Sequence, residues 1–122
     1  MNPFLTNTDK ALVAIKGERA GYIQIAASSE VTLYQDLPEE ILIAAKNWAV
    51  ELEKMGAKKV YWITLSEVVT HLHIHLYPRW TDNEAKGSPL FEKRNTAPQP
   101  AWTTEMLLCL NAWADAHNTA LI

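Results

Sequence analysis

Cysteine is almost missing from this 122-residue chain. Cys109 stands alone, which excludes an internal disulfide and fits a reducing compartment. A basic excess is missing too: 11 Lys and Arg against 14 Asp and Glu give a formal net charge of −3, which argues against general nucleic-acid binding. No apolar run approaches the roughly 20 residues that a membrane span requires. The first residues, Met1-Asn2-Pro3-Phe4-Leu5-Thr6-Asn7, carry neither the basic nor the apolar region of a signal peptide, so the cytoplasm is the expected location. Repeats, low-complexity tracts and domain linkers are lacking, so residues 1–122 are expected to form a single domain. With 48% hydrophobic and 20% charged residues, the composition is that of a globular protein with its own core.

What the chain does have is His71-Leu72-His73-Ile74-His75-Leu76-Tyr77, followed by Pro78 and Arg79. Three of its four histidines stand here at strict period two. Alternate side chains of a β-strand point to opposite faces, so His71, His73 and His75 are predicted to line one face while Leu72, Ile74 and Leu76 enter the core. Pro78 is expected to end that strand, because it cannot donate to a ladder.

The surrounding pattern is helical and extended in turn. Ala11–Lys16 and Tyr22–Ala26 are short apolar runs joined by a segment with Gly17 and Gly21 at its edges, a hairpin signature. Val31–Tyr34 reads as a further short extended piece. Residues 37–55 are predicted to form an amphipathic helix. Asp36 and Glu39 supply a capping pattern and Pro38 suits the first turn. Ile41, Ala45, Trp48, Leu52 and Met55 make the apolar stripe, and Gly56 supplies the stop. Val60–Leu65 is rich in β-branched and aromatic residues and reads as a strand, joined to the histidine strand closely enough to make the pair antiparallel. Thr81–Pro100 reads as a long loop. Trp102–His117 resumes helical spacing, with Thr103 or Thr104 as N-cap.

Two chemistries fit three histidines on one strand. Neighbouring histidines at i and i+2 can share a zinc ion, but the outer pair lies about 13 Å apart along a strand. A zinc site would need a ligand from elsewhere, such as Glu67, Asp82 or His117. In the other reading the middle imidazole attacks phosphorus while its neighbours position phosphate oxygens or protonate the leaving group. Arg79 could add charge complementarity to a phosphate. Trp80 could stack on a base or simply cover the end of the sheet. Trp48 and Trp113 fall on helix stripes as core or interface residues. Cys109 reads as a small apolar residue, and His117 as a partner for the helix macrodipole.

The segment 71–77 matches the histidine triad pattern, His-φ-His-φ-His-φ-φ with φ apolar, and the chain resembles the histidine triad (HIT) family. Gly21-Tyr22-Ile23-Gln24-Ile25 is similar to its Gly-His-φ-φ-φ strand, and Leu37-Pro38-Glu39-Glu40 to the start of its central helix. Lys86-Gly87-Ser88-Pro89-Leu90 is similar to a Gly-x-Pro segment of some bacterial members, of the diadenosine-polyphosphate-hydrolase-like kind. The resemblance implies an α+β fold: an antiparallel sheet with one long central helix and a C-terminal helix, pairing as a homodimer. It implies a nucleotide hydrolase or nucleotidyl transferase that acts at the α-phosphate of a small nucleotide substrate, with no metal or other cofactor required. His73 would be the nucleophile that forms a nucleotidyl-histidine intermediate. His75 would bond the phosphate or the departing oxygen, and His71 would orient the site.

The chain departs from the family pattern at several positions. Tyr22 replaces the histidine of the Gly-His pair, and Ser28-Ser29-Glu30 stands where a further histidine is usual. Val60 stands where many members have Asn, and Ser66-Glu67-Val68-Val69 replaces a phosphate-contacting stretch. Val68 cannot donate a hydrogen bond, and Glu67 would repel an anion if it faced the site. The alternative reading is therefore a nucleotide-binding or interaction module that has lost turnover, with a zinc-dependent hydrolase third.

Overall fold

The computed structural model describes residues 11–28, 31–64, 71–82, 84–87, 89–92 and 100–121. Strands β1 (Ala11–Ile15) and β2 (Ile23–Ala27) form the expected antiparallel hairpin. Helix α1 (Glu39–Lys54) follows, then strands β3 (Lys59–Ile63) and β4 (His73–Arg79). The short helix α2 (Pro89–Glu92), helix α3 (Thr104–Ala116) and strand β5 (Thr119–Leu121) complete the order. The five strands lie as β3-β4-β2-β1-β5. All neighbours are antiparallel except β5, which runs parallel to β1. The fold is α+β, with a mixed rather than wholly antiparallel sheet. No helix among the described residues is long and apolar enough to cross a membrane.

One sheet face packs on α1. Val13, Ile23, Ile25, Ile74 and Leu76 meet Ile41, Ala45, Trp48 and Leu52 there, all buried. The stripe read from the sequence is thus the buried face of α1. Three indoles tie this core to the backbone, each meeting the need of a buried N–H for an acceptor. Trp48 donates to the Gly21 carbonyl at 3.1 Å, Trp80 to that of Ala20 at 2.8 Å, and Trp113 to that of Ala44 at 2.9 Å.

Several local expectations are corrected. The N-cap of α1 is Pro38, with no side-chain cap bond, so the Asp36–Glu39 pattern does not form a capping box. Asp36 instead closes a single 3-10 turn, Tyr34–Asp36, and the extended piece expected over Val31–Tyr34 does not form a strand. The C-terminus of α1 does follow the sequence. Gly56 adopts φ +108°, its N–H donates to the Glu53 carbonyl at 3.0 Å, and Ala57 N–H reaches the Leu52 carbonyl at 3.0 Å. This is a Schellman closure. Thr103 caps α3 by accepting from Met106 N–H at 3.1 Å.

Pro78 does not end β4: it is buried within the strand, opposite Val60. Its carbonyl accepts from Arg19 at 3.0 Å, while the next carbonyl, of Arg79, accepts from Lys58 N–H at 2.8 Å on the β3 side. The Pro78 nitrogen therefore points, with its own carbonyl, away from β3, beyond the last β2 pair, Ile23↔Leu76. No ladder bond is lost there. Strand β5 was missed altogether, because three residues after a helix carry too little periodicity to read.

The Arg19 guanidinium is almost wholly buried, within 2.6 Å of the Glu84 carboxylate and 4.6 Å from the centre of the Tyr77 ring. The second Glu84 oxygen accepts from Trp80 N–H at 2.7 Å and Thr81 N–H at 3.3 Å. Burial pushes the Glu84 carboxyl up, but these N–H bonds and the Arg19 charge outweigh it and hold the group below its ordinary value. The depressed value adds stability that is present above pH 4.5, the ordinary carboxylate value, and is lost as pH falls through the folded value. Glu84→Gln should cost about 3 kcal/mol in urea unfolding at pH 7. It should also flatten the acid slope of stability against pH, and an unchanged slope would contradict this assignment. A Cβ on Gly21, which sits at φ +82°, would collide with Leu52 Cδ2. Gly21→Ala should therefore destabilise by about 2 kcal/mol, read as a lowered urea midpoint.

Candidate active site

The other face of the sheet carries the histidines. Strand β4 begins at His73, so His71 and Leu72 precede it rather than lie on it as expected. The alternation still runs through them, with Leu72, Ile74 and Leu76 buried and His71, His73 and His75 half-buried on the open side. The β2–β4 register sets Gln24 opposite His75 and Ala26 opposite His73. The β1–β2 register sets Ala14 opposite Gln24 and Leu12 opposite Ala26. Leu12, Ala14, Lys16, Gln24, Ala26, His71 and His73 line one cavity of about 300 Å³. Its floor is apolar, its nucleophile candidates stand on one wall, and Lys16 supplies the cation.

Each ring is held differently. His73 Nδ1 lies 2.9 Å from the His71 carbonyl. A carbonyl only accepts, so Nδ1 carries the proton and the lone pair of neutral His73 is on Nε2. His75 stands edge-on to His73, with ring centres 4.9 Å apart. Its Nδ1 is 2.8 Å from the Tyr22 hydroxyl, and the Gln24 amide nitrogen lies 3.2 Å from Nδ1 and 3.3 Å from Nε2. Burial first, then the charges of His73 and Lys16, push the His75 pKa below 6.5. Both effects favour the neutral ring. His71 Nε2 is buried and meets no hydrogen-bond partner among the described residues.

His75 stands beside the cavity, next to His73, without lining it, and the remaining candidates lie farther away. Arg79 lies at the far end of β4, about 13 Å along the strand from His75. Its guanidinium donates to the Thr81 carbonyl at 3.1 Å and lies 3.7 Å from Asp82. It also acts on Tyr61, whose hydroxyl accepts from Gly87 N–H at 3.0 Å; that bond, and then Arg79, bring the phenol below its ordinary value against the effect of burial. Trp80 is buried in the core, with its N–H on Ala20. Of the two roles open to it, covering the sheet end is the one its placement supports.

The extra zinc ligands are also scattered. His117 caps α3 and meets Asn47 at 3.3 Å, while Asp82 accompanies Arg79. Glu67 lies outside the described residues, as do Ser66, Val68, Val69, Ser29 and Glu30. Among the described residues no group of three or more His, Cys, Asp or Glu side chains is arranged to hold a metal ion. Cys109 is half-buried, and its thiol donates to Glu51 at 3.6 Å. Burial and the Glu51 charge push its pKa up, opposite to a nucleophile's needs.

Lys16, Gln24 and Leu12 were not singled out from the sequence. The signal was available in the period-two pattern of β1 and β2, but the pairing register that aims them at the histidines is tertiary.

No protein-family model matches the sequence. No curated protein matches it either. Among solved structures, the chain is similar to a histidine triad protein from Marinobacter aquaeolei VT8, with TM-score 0.54 and 18% identity over 83% of this chain and 77% of that one. It also aligns with a hypothetical histidine triad nucleotide-binding protein from Sulfolobus tokodaii strain7, at TM-score 0.31 and 16% identity over 88% of this chain and 83% of that one.

In a histidine-resolved NMR titration, His75 should titrate below pH 6.5. Lys16→Gln should move its midpoint upward by removing one repelling charge. A midpoint above 6.5 would contradict the burial of this ring. By the likeness to the Marinobacter aquaeolei protein and the histidine strand at its centre, the chain has the fold of the histidine triad proteins.

Proposed function

We propose that the chain is a histidine triad enzyme, a nucleotide hydrolase or nucleotidyl transferase acting at the α-phosphate of a small nucleotide ester, polyphosphate or phosphoramidate. One observation carries this reading: the His73 Nδ1–H bond to the His71 carbonyl leaves the Nε2 lone pair available on a ring that lines the cavity. In the first step that lone pair forms an N–P bond, and the bond from phosphorus to the leaving group breaks with its electron pair, which the leaving group keeps and protonates from solvent. In the second, water attacks phosphorus, the N–P electrons return to Nε2, and the water's proton passes to solvent. Neutral His75 and the cation of Lys16 are the groups on this face suited to a phosphate's oxygens. His71 orients His73 through its carbonyl. The same resemblance implies a homodimer, which light scattering tests directly.

The decisive experiment is incubation with a panel of nucleotide phosphoramidates and dinucleotide polyphosphates, followed by rapid acid-free quenching and mass spectrometry of the peptide holding residues 71–79. A nucleotidyl mass on His73 is expected. His73→Ala should lower kcat by about a thousandfold or more, the scale of losing a covalent nucleophile. Nucleotide affinity without adduct or turnover, unchanged in His73→Ala, would instead identify a binding module.

A further inference from the structure

We infer that Tyr22 is a positioning residue that locks His75 in its Nε2–H form, so that His73 and His75 present opposite hydrogen-bonding characters to one phosphate. The tautomer assignment stands on local geometry, and the consequence for phosphate rests on the function proposed above. The Tyr22 hydroxyl lies 2.8 Å from His75 Nδ1. Among the described residues it meets no other acceptor, so its proton goes to that nitrogen. Nδ1 is then an acceptor, and the ring's own proton must sit on Nε2. The Gln24 amide does not decide the matter, since it lies nearly equidistant from both ring nitrogens, at 3.2 and 3.3 Å.

The phenol is itself held in place. Its ring packs on Tyr77, with centres 4.7 Å apart, and Tyr77 lies under the Arg19 guanidinium at 4.6 Å. Burial, then the neighbouring Tyr77, push the Tyr22 pKa up, so the hydroxyl keeps its proton throughout the neutral range. A backbone carbonyl sets the tautomer of His73, and Tyr22 sets that of His75. One ring offers a lone pair and its edge-on neighbour offers an N–H. A nucleophile beside a donor to a non-bridging phosphate oxygen is the arrangement that phosphoryl attack requires. Tyrosine at this position supplies a donor without a titration of its own near pH 7, which a histidine would not.

Two-bond 1H–15N correlation spectra of histidine-labelled protein report each ring's tautomer without any substrate. Wild-type His75 is expected as Nε2–H and His73 as Nδ1–H. In Tyr22→Phe the His75 tautomer ratio should move toward Nδ1–H by about fivefold, the worth of one hydrogen bond, with His73 unchanged. With a phosphoramidate substrate, kcat should fall about 10- to 100-fold while KM stays within about twofold. Tyr22→His should add a new limb to the kcat–pH profile near pH 6.5. An Nδ1–H His75 in the wild type overturns the inference, and that spectrum decides even if the Phe variant fails to fold. An unchanged tautomer in a folded Tyr22→Phe overturns it as well. A wild type without turnover, but with the expected spectra, supports the Tyr22 lock and counts instead against the proposed chemistry.

Discussion

The buried guanidinium of Arg19 is the contact on which the placement of the histidine strand depends. It joins the hairpin connection to the end of β4 through the Pro78 carbonyl and to the following turn through Glu84. An unpaired charge there would be untenable, so strand end, turn and hairpin are assembled together or not at all. Glu84 in turn accepts from the N–H groups of Trp80 and Thr81, which fixes where the chain leaves the sheet. With that end pinned and the Ile23↔Leu76 pair set, the histidines fall into place by alternation alone. A slip of one residue would bury all three against α1.

The same guanidinium reaches the histidines through aromatic contacts. Arg19 covers Tyr77, Tyr77 packs on Tyr22, and Tyr22 bonds His75, which stands edge-on to His73. Rings are stiff, with few rotamers to lose, so such a chain holds its last member at low entropic cost. The site is therefore built on strands and rigid side chains, the setting in which tautomer and orientation can be specified.

Much of this was legible beforehand because it depends on local periodicity. The alternation of 71–77, the stripe of α1, the Gly56 stop and the Thr103 cap are short-range patterns, and each reappears in the structure. The misreadings are also physical. Asp36 and Glu39 have the spacing of a capping box, but the chain enters α1 through Pro38 from a 3-10 turn. Pro78 reads as a strand end because it cannot donate to a ladder, yet a missing N–H matters only where a neighbour waits for it, and β2 has already stopped there. Arg79 and Trp80 follow the histidines in sequence, yet the strand carries them away from the cavity and into the sheet's far end.

By itself the sequence determined the face that residues 71–77 present and the identity of the three rings along it, because side-chain alternation is a property of the extended backbone. It determined the central helix for the same kind of reason. Only the tertiary structure decided what those rings meet. Tyr22, Gln24, Lys16 and Leu12 reach the histidines across strand pairings separated by some fifty residues, and the Arg19–Glu84 pair spans 65. Long-range register and the pairing of buried charge are set by the whole core at once, and no local pattern encodes them.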